Sequence, residues 1–218
     1  MEDKQVKSKK RVADHGEVFT SEREVNAMLD LVKQETERID SRFLEPACGT
    51  GNFLVEILRR KLSVVERRYG KNQLEYERYA VIAVSSIYGV DLLQDNAKEA
   101  RIRLFDIFNE KYTAKYKSNC KEECRTSIKY ILERNILCGD ALTLKTENDE
   151  PIIFSEWSAV NGSMVKRRDF TLANLLEVEN AKEPNTLFSD FYETDPAFMP
   201  EPIKDFPLTH FLKIADND

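Results

Sequence analysis

Phe43-Leu44-Glu45-Pro46-Ala47-Cys48-Gly49-Thr50-Gly51-Asn52-Phe53-Leu54 is the stretch from which the rest of this sequence can be read. Two apolar, β-compatible residues run into an acid and a proline, then into two glycines separated by one residue. Behind them Phe53, Leu54, Ile57, Leu58 and Leu62 recur at helical spacing. Strand, tight glycine turn and helix, in that order, aim backbone N–H groups and a helix N-terminus at a bound ligand. Glycine is needed where a Cβ would block close approach of the backbone. Glu45, at the carboxyl end of the strand, can accept hydrogen bonds from a cationic or hydroxylated ligand group.

The string Leu44 to Phe53 resembles motif I of adenine-specific N6 DNA methyltransferases. Within them it is similar to the group whose motif X comes first, as in type I and type IIG restriction–modification enzymes. The resemblance implies an α/β, Rossmann-like methyltransferase fold that uses S-adenosylmethionine (AdoMet). It also implies that Glu45, Pro46, Ala47, Gly49, Gly51, Asn52 and Phe53 line the cofactor site. The residues themselves agree on one point, since the third glycine of a dinucleotide fingerprint would fall at Leu54. A glycine turn in an ordinary α/β protein is the plainer alternative.

At 218 residues the chain suits one α/β domain with a short appendage. Apolar content of 41% and charged content of 33% describe one core under a heavily charged surface. A net charge of −6 argues against broad attraction to nucleic acid, while leaving room for a local basic face. Cysteines at irregular spacing, with no signal peptide, predict reduced thiols and a soluble, cytoplasmic protein. Cys120 and Cys124 lie one helical turn apart but have no histidine nearby, so no metal site is expected. No apolar run approaches a membrane span.

Residues 1–11 read as a flexible basic arm whose Lys7, Lys9, Lys10 and Arg11 can touch phosphate. Thr20 or Ser21 caps the helix that follows, with Val25, Met28, Leu29 and Val32 as its apolar stripe. The run Gly16-Glu17-Val18-Phe19-Thr20 resembles motif X, which implies that Phe19 and Thr20 contact the methionine end of AdoMet. Serine stands at position 21 where most relatives carry proline. Taken alone, Phe19 would be read as a core aromatic.

Helices are predicted over Leu74 to Val84, Ala97 to Phe108 and about Glu123 to Arg134, with a polar, mixed-charge stretch from Glu110 to Lys121. Ser85 to Leu92 reads as a second parallel strand ending in an acid, the position that takes ribose hydroxyls in dinucleotide enzymes. Asp91 lies about twice as far from the glycines as the roughly 20 residues of that rule, and the inserted helix accounts for the difference. Gly89-Val90-Asp91-Leu92, followed by Asp95 or Asn96, resembles motif II, which implies Asp91 and Leu92 as cofactor residues. Asn135 to Leu142 resembles motif III, with Asp140 and Ala141 beside the adenine ring.

N6-adenine methylation requires a flipped base with its amine in line with the sulfonium methyl. The family does this with motif IV, an Asn or Asp followed by two prolines and an aromatic, and that string is missing. Pro151 to Trp157 makes a strand, but Asn161-Gly162, a turn signal, follows it, and then a basic triplet, Lys166-Arg167-Arg168. The nearest approximation to the catalytic loop is Asp195, Pro196 and Phe198, far downstream and better read as a turn. The family reading makes the triplet a candidate DNA contact, although such a run is usually a solvated face. Trp157 is read as core.

The expected organisation is a basic arm (1–11), an AdoMet-binding domain (12–178) and an acidic, Pro- and aromatic-containing irregular tail (179–218). The tail either wraps over its own core or docks on a partner. Three functions remain open. One is the cofactor portion of a DNA adenine-N6 methyltransferase whose sheet is incomplete here, with a second subunit or downstream portion supplying catalysis and DNA recognition. Another is a small methyltransferase with a nonstandard loop. The last is a noncatalytic AdoMet-binding interaction subunit.

Overall fold

A computed structural model describes residues 7–15, 17–176 and 201–216. Its centre is a three-stranded parallel sheet of β1 (Phe43–Glu45), β2 (Ile87–Asp91) and β3 (Ile136–Cys138), with β2 in the middle. The register pairs Glu45 with Gly89 and Asp91 with Cys138, so all three strands end toward the same edge. This is the α/β architecture expected of the sequence.

Every residue of β2 is buried because both faces of the sheet are covered. Alternate strand residues point to opposite faces. Ile87 joins the main helical core, while Tyr88 and Val90 pack against Ile152, Phe154 and Leu172 on the other side. The helical side is built on α4 (Asn52–Tyr69), which buries Leu54, Leu58, Leu62 and Val65. Helix α5 (Gln73–Ser85) is capped by the Asn72 side chain, which accepts from the Glu75 N–H. Helix α6 (Gln94–Tyr116) carries Leu104, Phe108 and Tyr112 inward. Helix α7 (Glu122–Asn135) buries Cys124, Ile128 and Ile131.

Two helices precede the sheet, α1 (Lys9–His15) and α2 (Glu22–Leu31), followed by a short α3 (Lys33–Thr36). Ser21 and Glu24 form a reciprocal capping box that starts α2. Its buried stripe is narrower than the sequence suggests: Val25 and Leu29 are inside, whereas Met28 and Val32 are exposed.

The other face of β2 is covered by an antiparallel hairpin of β4 (Ile153–Ala159) and β5 (Met164–Thr171), turned at Asn161-Gly162. Two short strands, β6 (Lys204–Asp205) and β7 (Thr209–His210), pair with β5. A 3₁₀ segment, Phe211–Asp216, packs back against α7 with Phe211 and Ile214 buried. The described part of the tail, 201–216, thus rests on the chain's own core. Asp195, Pro196 and Phe198 lie outside the described residues. Among the described residues no helix is long and apolar enough to cross a membrane.

Candidate functional site

The carboxyl edge of the parallel sheet is where ligands bind in open α/β folds, and here each strand leads to an acid there. Glu45 closes β1, Asp91 closes β2, and Asp140 follows β3. Between β1 and α4 the chain makes a turn that needs glycine twice. Gly49 has φ +53° and Gly51 φ +85°, both in the left-handed region, and a Cβ on Gly51 would stand 3.2 Å from the Ala100 Cβ. The Cys48 N–H donates to the Val90 carbonyl at 2.8 Å, which ties the turn to the central strand.

Asp91 is the pivot of this edge. Its Oδ2 accepts from the Gly49 N–H at 2.8 Å, and its Oδ1 accepts from the Leu93 N–H at 2.9 Å and from Asn96 Nδ2 at 3.1 Å. A carboxylate has about four acceptor positions, so Asp91 holds the glycine turn in place and retains capacity on Oδ2.

Glu45 is different. Among the described residues its one hydrogen bond is a long one, from the Ala47 N–H at 3.4 Å. Burial pushes its carboxyl above the ordinary range, and that bond offsets the effect only in part. A half-buried acid with so few donors is suited to a ligand that brings its own. Asp140 accepts from the Leu142 N–H at 2.8 Å, while its backbone pairs with Lys145 across a small loop. Ala141 is half-buried on the same loop, and Leu92 and Leu142 are exposed on this edge. Burial, with Asp91 and Glu45 close by, pushes the Cys48 thiol up to about 12, so it stays protonated.

The segment before α2 closes over the turn. A Cβ on Gly49 would stand 3.1 Å from the Phe19 ring, which therefore lies directly on the glycine. Asn52 Nδ2 donates to the Thr20 carbonyl at 2.9 Å. Phe19, Thr20, Gly49, Gly51, Asn52 and Asp91, chosen from separate parts of the sequence, are gathered at one place. Phe53 packs partly into the main core at the start of α4, and Pro46 and Ala47 are exposed beside the turn.

Arg103 has no place in the sequence reading, and Glu17, Asp95 and Asn96 enter it only within motif strings. Arg103 Nη1 reaches the Thr50 carbonyl at 2.6 Å, Thr50 Oγ1 at 3.0 Å and Asn52 Oδ1 at 2.8 Å, bracing the turn from α6. Glu17 and Asn96 bond to each other at 2.7 Å. Burial alone would push Glu17 up, but hydrogen bonds from Arg11 and Asn96 hold its carboxyl below the usual range. Lys7 and Arg11 face Asp95 and Glu99, and the Arg11 hydrogen bond brings Asp95 down to about 2. Residues 9–11 of the basic arm are helical, and Lys7 and Arg11 meet carboxylates rather than solvent. The signal was present in sequence: Lys7 and Arg11, like Asp95 and Glu99, are spaced by one helical turn with opposite sign.

The basic triplet lies in β5, and each member meets an acid. Lys166 pairs with Asp205, and Arg168 lies 3.7 Å from Glu156. Arg167 bonds Asp169 at 2.8 Å and the Tyr130 hydroxyl at 2.8 Å, with its guanidinium 3.9 Å from the Phe206 ring centre. Trp157 is buried, its Nε1 donating to Asn135 Oδ1 at 3.3 Å. A groove of about 730 Å³ lies at the opposite end of the sheet, lined by Arg38, Arg42, Arg68 and Arg78 but also by Glu37 and Asp40.

A family model described as "MmeI, DNA-methyltransferase domain" matches residues 17–156, well over half of the chain. The chain belongs to the MmeI DNA-methyltransferase family. The match runs from Glu17, beneath Phe19, to the middle of β4, so it contains the glycine turn and all three acids. Membership places the chain among DNA methyltransferases of restriction–modification type. Searches of curated proteins and of solved structures return no match.

Proposed function

We propose that this chain is the AdoMet-binding portion of a DNA adenine-N6 methyltransferase, and that a partner subunit or a further portion of the protein supplies the catalytic loop and DNA recognition. One observation carries the cofactor assignment: a left-handed glycine turn, capped by Phe19, at the edge where Glu45 and Asp91 end their strands and Asp140 follows β3. The donor and acceptor set fits AdoMet. Asp91 would take ribose hydroxyls on its remaining acceptor position, and Asp140 would take the adenine amine. Glu45, Phe19 and Thr20 would face the methionine end, where a cation repays the cost of burying the carboxylate. When bound, AdoMet supplies an electrophilic methyl group. The chain's residues hold it and exclude water on the Phe19 side.

Two features support dependence on a further element. The sequence has no Asn-Pro-Pro-aromatic string. Among the described residues β1 pairs only with β2, so one edge of the parallel sheet is open to a further strand. The missing string also favours a second reading, a noncatalytic AdoMet-binding interaction subunit.

Calorimetry with AdoMet, S-adenosylhomocysteine and NAD tests the cofactor claim, and binding of the first two alone is expected. Transfer of tritiated methyl to adenine-containing DNA separates the readings. The proposal expects no transfer by this chain alone, and transfer after addition of the product of a neighbouring reading frame that encodes the missing string. Transfer by the isolated chain would refute the need for a partner.

A further inference from the structure

Asn96 lies in the first turn of α6 and is 1% exposed, yet every polar atom of its amide is engaged. Nδ2 donates to Asp91 Oδ1 at 3.1 Å and to Glu17 Oε1 at 2.7 Å. Oδ1 accepts from Lys7 Nζ at 2.9 Å and from Arg11 Nη2 at 3.1 Å. One side chain therefore joins three features, two from the amino-terminal stretch 7–19 and one from the end of β2. They are the amino-terminal helix, the segment that lays Phe19 on Gly49, and the acid that holds the Gly49 N–H. The chemistry suits an amide, whose oxygen can meet two cations while its nitrogen meets two carboxylates. Aspartate would keep the first half of this arrangement and lose the second.

We propose that Asn96 is a positioning residue: it fixes the orientation of the Asp91 carboxylate and couples the docking of α1 to it. The inference rests on the reading of this edge as a cofactor site in which Asp91 takes ribose hydroxyls. Asp91 Oδ1 has two donors, and one of them is Asn96. Without that donor the carboxylate is held only by the backbone N–H groups of Gly49 and Leu93, and Glu17 loses its link to it. On the other side of the amide, Lys7 and Arg11 dock by charge at partly exposed positions, with 28% and 24% of their side chains accessible. Such contacts weaken as salt screens them. Ligand affinity therefore depends on ionic strength through Lys7, just before α1, and Arg11 within it, whose charge partners are Glu17 and the start of α6 and not the glycine turn.

The test uses the full chain and titrates S-adenosylhomocysteine and its 2′-deoxyribose analogue into wild type, Asn96→Asp and Arg11→Ala, at low and high salt. Wild type is expected to prefer the ribose form and to lose affinity as salt rises. Asn96→Asp should weaken the ribose form by roughly tenfold, the worth of a hydrogen bond to a charged group. It should change the deoxy analogue little, so the preference collapses, which a loss of fold alone would not produce. Arg11→Ala should lower affinity at low salt by roughly threefold and flatten the salt dependence. Wild-type preference in Asn96→Asp overturns the positioning role. If that variant does not fold, an unchanged salt profile in Arg11→Ala overturns the coupling. If wild type binds neither compound, the cofactor reading itself fails and this inference falls with it.

Discussion

The two ends of the parallel strands handle buried charge in opposite ways. At the amino end, Lys61 of α4 is fully buried, and its ammonium donates to the carbonyls of Ile39 and Ser41 and to Ser86 Oγ, which lead into β1 and β2. All three of its donors are used. At the carboxyl end, burial raises the Glu45 carboxyl while the described residues offer it one long hydrogen bond. Burial disfavours both charges, but of this pair Lys61 alone has a full set of partners among the described residues. A charge whose partners are already present locks strands together; one with few partners among the described residues is what the proposed cofactor site requires.

The largest effect expected from attacking this contrast is at the turn. Gly51→Val forces a β-branched residue to φ +85° against Ala100, and strain of about 2–3 kcal/mol should reduce AdoMet affinity by roughly a hundredfold in calorimetry. Next comes the amino end. Burial lowers the Lys61 ammonium to about 7 from its ordinary 10.5. The unfolded chain then binds more protons than the folded one between those values, so stability rises with pH across that window. Urea unfolding at about pH 7 and about pH 9 should show a gain of about 2 kcal/mol in wild type, and Lys61→Met should flatten it. A gain that persists in the variant would remove Lys61 from the comparison.

Smaller still, Asp91→Ala should weaken AdoMet roughly tenfold by removing an ionised acceptor and releasing the glycine turn. Unaltered affinity would leave the carboxyl end without its pivot. The smallest effect belongs to Arg42, which pairs with Glu156 at the amino end and is more than half exposed. Arg42→Ala should cost less than about 1 kcal/mol in thermal unfolding, and salt should erase the difference.

Much of the carboxyl end could be read in the sequence, whereas Lys61 could not. The turn at Gly49 and Gly51 and the acids at Asp91 and Asp140 are local patterns: a short apolar strand ending in a glycine or an acid. The helices over 52–69, 73–85 and 122–135 declare themselves by their apolar residues, and the second has Asn72 as its cap. Helix α6 runs eight residues past Phe108, through the stretch read as polar and mixed. Its stripe continues as Phe108, Tyr112 and Tyr116, and aromatics four residues apart carry an apolar face even among charges.

What could not be read depends on contacts between distant segments. Phe19 on Gly49 and Asn96 between Glu17 and Asp91 are tertiary pairings with no local period. The triplet at 166–168 looks like a free basic patch until strand pairing brings Asp205 and Glu156 beside it and the extended strand puts Asp169 on the same face as Arg167. Strand β4 carries no mark to show that it joins an antiparallel hairpin over β2 and not the parallel sheet. That choice is made by the Asn161-Gly162 turn eight residues beyond its start, which brings β5 alongside.

The open side of β1 has a consequence for handling the protein in concentrated solution. An unpaired strand edge is a template for aggregation, because its free backbone groups can recruit the same edge of another molecule. Among the described residues the unpaired template is three residues long. Arg42 flanks it on one side, and on the other Pro46 has no N–H to offer. Too short and too guarded to seed growing fibrils, the edge leaves room for one well-matched strand and little else.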